Sequence, residues 1–364
     1  MKRSLYLLTL LFVGALLVSA WFAKPVANAA GVDPTATPTP APVPAATSVI
    51  APTPKPTETP DEIIKIDTEL VNLNVRVVDR NNRPINNLQQ NEFKIFEDGV
   101  DQQIDFFSKS DVPTNYGMVI DNSGSMRQLL DKVIEAGKIL VDTNRPADET
   151  MIIRFVSKDK IEIQQQFTSN KADLNDALEN MYIEGGQTAI IDAVYLAVEN
   201  IDEYEKSQKP EDRKRRALIL VSDGEDRNSF YTEKQLFELL RESEVQIYVI
   251  GFVSELSKEG GFVSKSPQDK AKAFLERIAA QTGGKTYFPT SGAELPNLAR
   301  EISNELRTQY SIGYIPSNDK RDGTYRNIKV VVNDGPKQEK RIAITRAGRV
   351  ADGGATPQKL PTKN

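Results

Sequence analysis

The chain has 364 residues, with 51 acidic and 46 basic side chains, and it contains neither cysteine nor histidine. This length predicts two modest domains, and a formal net charge of -5 gives no reason to expect nucleic acid as a partner. Without cysteine the chain cannot form disulfides, and without histidine it cannot use a serine–histidine–acid triad. Any bound metal must have oxygen ligands, which favours Mg²⁺, Ca²⁺ or Mn²⁺.

The first 29 residues have the pattern of an export signal. Lys2 and Arg3 precede an apolar run over residues 5–18, and Ala27-Asn28-Ala29 fits a small-residue cleavage site. The alternative is an uncleaved membrane anchor, because the apolar run over residues 4–23 nearly reaches spanning length. Both interpretations predict that the rest of the chain is secreted or lies in the cell envelope, outside the cytoplasm.

Residues 30–61 form a predicted linker that is rich in proline, threonine and alanine. Such a composition does not bury enough apolar surface to fold, and its prolines favour an extended spacer. The segment either holds the folded part away from a membrane or wall, or it is an inert disordered terminus.

The first flank, residues 62–111, shows over residues 63–107 the period-two alternation that is typical of half-buried β-strands. Apolar and polar residues alternate over residues 71–77, and shorter strands are predicted over residues 93–97 and 103–107. A turn at Glu97-Asp98-Gly99 is predicted to separate the two short strands. No helical period appears in this part of the sequence.

From residue 112 the pattern changes to alternating strands and helices. Short apolar strands are predicted over residues 117–120, 151–156, 217–221 and 245–252, and helices over residues 128–141, 188–201, 271–280 and 295–306. This alternation predicts an α/β domain over residues 112–304, with a doubly wound, mainly parallel sheet covered on both faces. Residues 253–269, rich in serine, glycine and lysine, are either a specificity loop or a disordered insertion.

Strands return after residue 305. They are predicted over residues 310–315, 327–332 and 340–345, with turn signals between them. Three strands on each flank are few for a free-standing sheet. We therefore predict one split β-sandwich from residues 62–111 and 305–348, with the α/β domain inserted between its halves. Residues 349–364 are polar and are predicted to be a disordered tail.

Carboxylate and hydroxyl side chains follow the predicted strands at the sheet edge where ligands bind in parallel sheets. Asp121, Ser123 and Ser125 come directly after the first apolar strand, Asp223 follows another, and Thr188 begins a helix after a glycine-rich loop. Two carboxylates and three hydroxyls make a hard-oxygen set that suits Mg²⁺, with Mn²⁺ or Ca²⁺ as alternatives. The competing interpretations are helix capping by the hydroxyls and a simple turn at Asp223.

Charged residues near this set have more than one interpretation. Asp192, one helical turn after Thr188, either orients the ligands or is a surface carboxylate. Glu225 and Asp226 are predicted to be rim charges. The basic run over residues 209–216 is predicted to be a solvated loop, with a surface for an acidic partner as the alternative.

The pattern Asp121-x-Ser123-x-Ser125, followed by Thr188 and Asp223, resembles the metal-ion-dependent adhesion site of von Willebrand factor type A domains. The resemblance covers residues 112–304, and the flanking segments look like those of a bacterial secreted family that is related to these domains. It implies a Rossmann-like fold with the five residues as metal ligands. In integrins an A-type domain is likewise inserted in a β-sandwich, which agrees with the architecture predicted from the strands.

Only two of the five groups carry a negative charge, so a bound cation would keep affinity for a carboxylate from outside. We therefore predict a non-catalytic adhesion or interaction module that binds a protein or peptide through an exposed Asp or Glu. No nucleic-acid partner is predicted, and membrane contact only through an uncleaved N-terminal anchor. The alternatives are a domain that the metal merely stabilises and a metal-dependent hydrolase, for which the chain offers no obvious general base.

Overall fold

The computed structural model describes residues 70–109, 112–209, 214–259 and 265–351. All of them fall within one structural unit, Lys65–Asn364. The predicted export signal, residues 1–29, and the predicted linker, residues 30–61, lie outside the described residues. Within the described ranges, none of the helices combines the length and the apolar character needed to cross a bilayer.

The described residues form fourteen strands and six α-helices. The strands are β1 (Val71–Val78), β2 (Phe93–Glu97), β3 (Val100–Gln102), β4 (Phe106–Lys109), β5 (Thr114–Asp121), β6 (Glu149–Ser157), β7 (Lys160–Thr168), β8 (Arg215–Ser222), β9 (Gln246–Gly251), β10 (Thr286–Tyr287), β11 (Tyr310–Tyr314), β12 (Tyr325–Val332), β13 (Ile342–Ile344) and β14 (Gly348–Val350). The helices are α1 (Leu130–Thr143), α2 (Lys171–Glu179), α3 (Ile190–Ser207), α4 (Glu233–Glu242), α5 (Pro267–Thr282) and α6 (Leu295–Arg307).

The central sheet has the strand order β10-β9-β8-β5-β6-β7. Neighbouring strands are parallel except for β6 and β7, which are antiparallel. Helices cover both faces: Val119 of β5 packs in a core with α3, α4 and α5, whereas Met118 and Ile120 pack in a second core with α1, α2 and α6. Strands buried on both faces have continuous apolar sequences. The predicted doubly wound, mainly parallel sheet is therefore confirmed.

Two strands and two α-helices of the α/β region are absent from the sequence prediction: β7, β10, α2 and α4. Strand β7 lies at the edge of the sheet and is only partly buried along its length. Helices α2 and α4 are short, with three buried apolar residues each. Short elements that bury few side chains give only a brief apolar pattern in the sequence.

The flanking segments form two four-stranded sheets, with the orders β13-β1-β11-β4 and β14-β12-β2-β3. Each sheet contains strands from before and after the α/β region. One apolar core fills the space between the sheets, and it includes Leu73, Ile95, Ile312 and Val330. The α/β region is thus inserted in a split β-sandwich, as the predicted fold class states. The residue limits given above for the individual domains stay predictions.

The flanks differ from the prediction in their strand count, because each supplies four strands instead of three. The strand predicted over residues 103–107 is wrong: the chain forms β3 and β4 on either side of a short connection, and the two strands lie in different sheets. The turn at Asp98-Gly99 is confirmed, with φ of 49° and 82° at the two residues. Two positive φ values match the right-handed twist of a tight hairpin.

The predicted start of the disordered tail, residue 349, is also wrong, because residues 348–350 form strand β14. Strand β14 pairs with β12 in an antiparallel register. Its Arg349 is buried, and Arg349 Nε donates to Glu97 Oε2 at 3.0 Å. The ion pair between Arg349 and the buried carboxylate of β2 therefore helps to hold the edge strand β14 in its sheet. Residues 352–364 lie outside the described residues.

Within the basic run that was predicted to be a solvated loop, Arg215 and Arg216 belong to β8, and Arg215 connects the central sheet to the sandwich; residues 210–213 lie outside the described residues. The buried Arg215 donates from Nε to Asn74 Oδ1 at 3.1 Å and from Nη2 to Ser311 Oγ at 2.9 Å, and it also bonds the Leu306 carbonyl. These acceptors belong to β1, β11 and α6. Arg215 therefore links the base of β8 to both flanks of the sandwich.

Candidate functional site

Three of the predicted site residues form one hydrogen-bonded group after β5. Asp121 is the last residue of this strand and is 0% exposed. Its Oδ1 accepts a hydrogen bond from the Ser123 backbone N–H at 2.9 Å. A short 3₁₀ helix, Gly124–Gln128, then bends the chain so that Ser123 Oγ lies 3.0 Å from Ser125 Oγ. The structure thus brings a carboxylate and two hydroxyls together at the carboxyl end of β5.

The second predicted carboxylate arrives from the neighbouring strand. In the parallel pair of β5 and β8, Ile120 lies opposite Val221, so both strands end at the same edge. Asp223, directly after β8, is buried, and its Oδ1 accepts from the Glu225 N–H at 3.1 Å. Gly224 has φ of +86°, a conformation that glycine adopts without strain. The chain can therefore turn sharply at Asp223.

Ser222 is a site residue that the sequence interpretation missed. Its Oγ donates to Asp121 Oδ2 at 2.7 Å and accepts from the Gly224 N–H at 3.2 Å. The hydroxyl therefore holds the Asp121 carboxylate and shapes the turn after Asp223 at once. A signal was available in the sequence, because Ser222 stands between an apolar strand and the site aspartate.

Burial raises the pKa of Asp121 to about 6, and the nearby negative charge of Asp223 adds to this increase. Hydrogen bonds from Ser123 and Ser222 act in the opposite direction. Two carboxylates thus lie close together where water is scarce. A positive charge between them would stabilise the ionised form of both.

Thr188, another predicted ligand, lies in the loop before α3. Asn122 holds this loop: its Nδ2 donates to the Tyr182 carbonyl and its own carbonyl accepts from the Glu184 N–H, both at 2.9 Å. Thr188 is buried, and its carbonyl accepts from the Arg227 N–H at 2.8 Å. The backbone of Thr188 is therefore fixed against the loop that follows Asp223.

Buried Arg154, also missed from the sequence, supports the same loop. Its Nη2 donates to the Tyr182 hydroxyl at 2.7 Å and to Glu184 Oε2 at 3.3 Å, and its guanidinium lies 4.1 Å from the centre of the Tyr182 ring. Because Arg154 lies on β6, opposite Ile120, it joins the third strand of this edge to the Thr188 loop. Nothing in the local sequence around Arg154 indicates this pairing.

Asp192 is 2% exposed, so its interpretation as a surface carboxylate is wrong. Its two oxygens accept from the backbone N–H groups of Phe230 at 2.7 Å and Tyr231 at 2.8 Å. Asp226 lies on the exposed rim, as predicted, and also accepts from the Ile191 N–H at 3.1 Å. Together these carboxylates tie the start of α3 to the loop between β8 and α4.

No group of three or more histidine, cysteine, aspartate or glutamate residues in the described ranges is placed to hold a metal ion. A metal site at this edge would therefore need hydroxyl oxygens beside its carboxylates. The donors around Asp121 have that composition, and hard oxygen donors suit divalent cations such as Mg²⁺.

A family model for the von Willebrand factor type A domain matches residues 117–301, which is about half of the chain. The chain belongs to the von Willebrand factor type A domain family. The matched span begins in β5 and ends in α6, so it contains the central sheet and every residue of the candidate site. Proteins of this family are typically interaction modules.

Relatives and solved structures give further comparisons. Human inter-alpha-trypsin inhibitor heavy chain H4 is 25% identical over 271 residues, which cover 70% of this chain and 27% of that protein. The uncharacterized protein sll0103 of Synechocystis is 26% identical over 197 residues, covering 54% of this chain and 42% of the relative. This chain thus spans less than half the length of either. A solved von Willebrand factor type A protein from Catenulispora acidiphila has 14% identity and a TM-score of 0.44, over 71% of this chain and 75% of that one.

Proposed function

We propose that this protein is an extracytoplasmic binding module in which a divalent cation, Mg²⁺ foremost, bridges the candidate site to a carboxylate of a protein partner. The observation that carries the proposal is the convergence of Asp121, Ser123 and Ser125 beside Asp223 at one edge of the sheet. Loops at this edge form the ligand crevice in open α/β sheets.

Five side chains would hold the cation: Asp121, Ser123, Ser125, Thr188 and Asp223. Mn²⁺ and Ca²⁺ are the alternative ions, because both accept carboxylate and hydroxyl oxygens. The hydrogen bonds from Ser222 and the Ser123 N–H keep Asp121 oriented before any ion arrives. An ion at this place would supply a positive charge that attracts an external carboxylate.

A binding role agrees better with these residues than a catalytic one. The chain contains no histidine, the most common general base. Within the site, the hydroxyls of Ser123 and Ser125 bond each other. A partner carboxylate that completes the ion's ligands needs no proton transfer. We therefore assign the site to adhesion or interaction.

The location outside the cytoplasm rests on the export signal predicted for residues 1–29. Expression of the full chain, followed by fractionation and N-terminal sequencing of the product, tests it. A mature protein that begins near residue 30 supports secretion, and an intact N-terminus in the membrane fraction supports the anchor. Recovery of the intact chain in the cytoplasm would contradict both.

Metal binding is tested by calorimetry of the full chain with Mg²⁺, Mn²⁺ and Ca²⁺. We expect Asp121→Ala and Asp223→Ala to abolish binding at concentrations that saturate the wild type. Glu276→Ala, which removes an exposed carboxylate of α5, is the matched control and should bind as the wild type does. Unchanged binding in both site variants would contradict the assignment of the ligands.

Partner binding is tested by cross-linking capture from extracellular fractions, in Mg²⁺ and in chelator, with wild type and Asp223→Ala. A partner that appears only with wild type and Mg²⁺ supports the bridge. A melting temperature that rises with Mg²⁺, without any metal-dependent partner, would instead favour a purely stabilising role for the ion.

A further inference from the structure

A groove opens directly beside the candidate site. One wall is the loop after Asp223, residues 224–227, and the other is the first half of α5. The groove has about 540 Å³ of open volume, within the range of sites that hold small ligands or parts of larger ones. Its wall begins at the residue after Asp223, so the groove adjoins the candidate site along the chain.

The two walls are fixed against each other. A Cβ atom on Gly224 would lie 2.9 Å from Leu275 Cδ1 and 3.1 Å from Ala271 Cβ, so α5 packs tightly against the loop. The helix is capped by Ser266, whose Oγ accepts from the Asp269 N–H at 3.1 Å. Gln268 Nε2 donates to the Val253 carbonyl at 2.9 Å. The groove is therefore preformed.

The charges that line the groove leave a positive excess. Two of its acidic side chains form ion pairs, Glu225 with Arg227 and Glu233 with Arg277, whereas Asp226 accepts from the Ile191 N–H and keeps its charge. Lys265 and Lys270 are exposed and have no ion-pair partner among the residues that the structure describes. Four basic and three acidic side chains line the groove, so its lining has a net charge of +1. This charge favours a negatively charged ligand near the two lysines.

The floor of the groove is apolar. Ile191 and Ala271 are buried, and Phe274 is half-buried beside them. Apolar surface between two basic side chains fits a peptide that carries an apolar residue next to an acidic one. The complementary charge excludes a basic segment, because like charges at an interface cost affinity.

We propose that this groove receives an acidic peptide segment of the protein partner, which places a second carboxylate against Lys265 and Lys270 beside the one that the cation bridges. This inference rests on the proposed function, since the first carboxylate fixes the segment at the site. An extended chain advances about 3.3 Å per residue, so residues close to the bridging carboxylate reach the groove. Specificity then depends on the sequence around the bridging residue.

The probe is a random library of 12-residue peptides displayed on phage and selected against the full-length protein in Mg²⁺. We expect the selected peptides to carry two acidic residues with an apolar residue near them, and to be released by chelator. The Lys265→Glu/Lys270→Glu double variant should bind the corresponding synthetic peptides at least about tenfold more weakly, because attraction is replaced by repulsion.

The matched control is Lys94→Glu/Lys329→Glu, which makes the same change of charge on exposed residues of the sandwich strands β2 and β12. It should bind the peptides as the wild type does, and equal melting temperatures of both variants verify folding. Peptides that need Mg²⁺ but bind the Lys265→Glu/Lys270→Glu variant normally would contradict the role of the groove and support the metal bridge. Binding that needs the lysines but survives chelator would keep the groove and contradict the bridge. Failure to select any lysine-dependent peptide overturns the groove.

Discussion

Asp192 should be a main determinant of the stability of the loop that follows the candidate site. It is 2% exposed and accepts two backbone hydrogen bonds, from Phe230 at 2.7 Å and Tyr231 at 2.8 Å. In Asp192→Asn the side chain keeps its shape, but one acceptor oxygen becomes an amide nitrogen that only donates. One backbone N–H of the loop then loses its partner in a buried place.

The magnitude follows from this lost acceptor. A buried donor without a partner costs about 1–3 kcal/mol, and the remaining bond weakens because its acceptor is no longer charged. Burial raises the pKa of Asp192, so removing the charge recovers part of this loss. We expect a net decrease of about 2 kcal/mol in the free energy of unfolding, or a melting temperature lower by about 4–8 °C. Asp192→Ala, which removes both acceptors, should cost more.

Thermal and urea unfolding of wild type, Asp192→Asn and Asp192→Ala, each in chelator and in Mg²⁺, measure the effect. Glu276→Gln is the control, because it removes the charge of an exposed helical carboxylate. The reasoning is refuted if Asp192→Asn melts within about 1 °C of the control in chelator, since the lost acceptor alone predicts several degrees. An Ala variant as stable as the Asn variant would also refute it.

Further predictions concern the turn at the site, the last strand and the response to acid. Gly224→Ala should lower stability by about 1–3 kcal/mol, because its φ is positive and its Cβ would meet α5; calorimetry should show weaker Mg²⁺ binding as well. Arg349→Met should cost about 3–5 kcal/mol in urea unfolding by leaving the buried Glu97 without its cation. The Gln89 N–H and Arg341 lower the pKa of Glu92, so the ionised Glu92 carboxylate stabilises the fold above its ordinary pKa of 4.5. This stabilisation is lost as the pH falls further, so Glu92→Gln should make the free energy of unfolding less dependent on pH in acid. An unchanged pH dependence would contradict this.

The central sheet could be predicted because its strands are buried on both faces. Residues 117–120, 151–156, 217–221 and 245–252 are apolar runs, and all four lie in the sheet. The two-sided cover of helices produces such runs directly. Strand β7 was not predicted because it lies at the edge of the sheet, where polar residues face solvent and register shifts interrupt its pairing with β6.

Long-range pairing accounts for the other errors. Arg349 and Arg215 have charged side chains, which local patterns place in solvent, yet each is buried against partners from distant parts of the chain. A window of neighbouring residues does not contain the acceptors that make such burial favourable. Arg349 of the predicted tail and Arg215 of the basic run were misplaced for this shared physical reason.

The candidate site was predictable to the extent that its residues follow strand ends. Asp121, Ser123 and Ser125 adjoin one strand and Asp223 another, and parallel strands bring such ends together. Ser222 and Asp192 were missed or misread because their roles depend on atoms that touch only after folding: the Asp121 carboxylate and the N–H groups of the loop at Phe230.

The place where the α/β unit joins the sandwich has a consequence for how the two can be recombined. Strands β4 and β11 pair with each other, with Lys109 opposite Tyr310, and the whole α/β unit lies between them in the sequence. Paired antiparallel residues have Cα atoms about 5 Å apart. In topological terms the unit occupies the position of a hairpin turn. A short turn could span the gap between the two strands, although removal of the unit would leave buried Arg76 without Glu305 and would remove the bonds that Arg215 makes to β1 and β11. Another A-type domain whose ends lie equally close could be inserted at the same place.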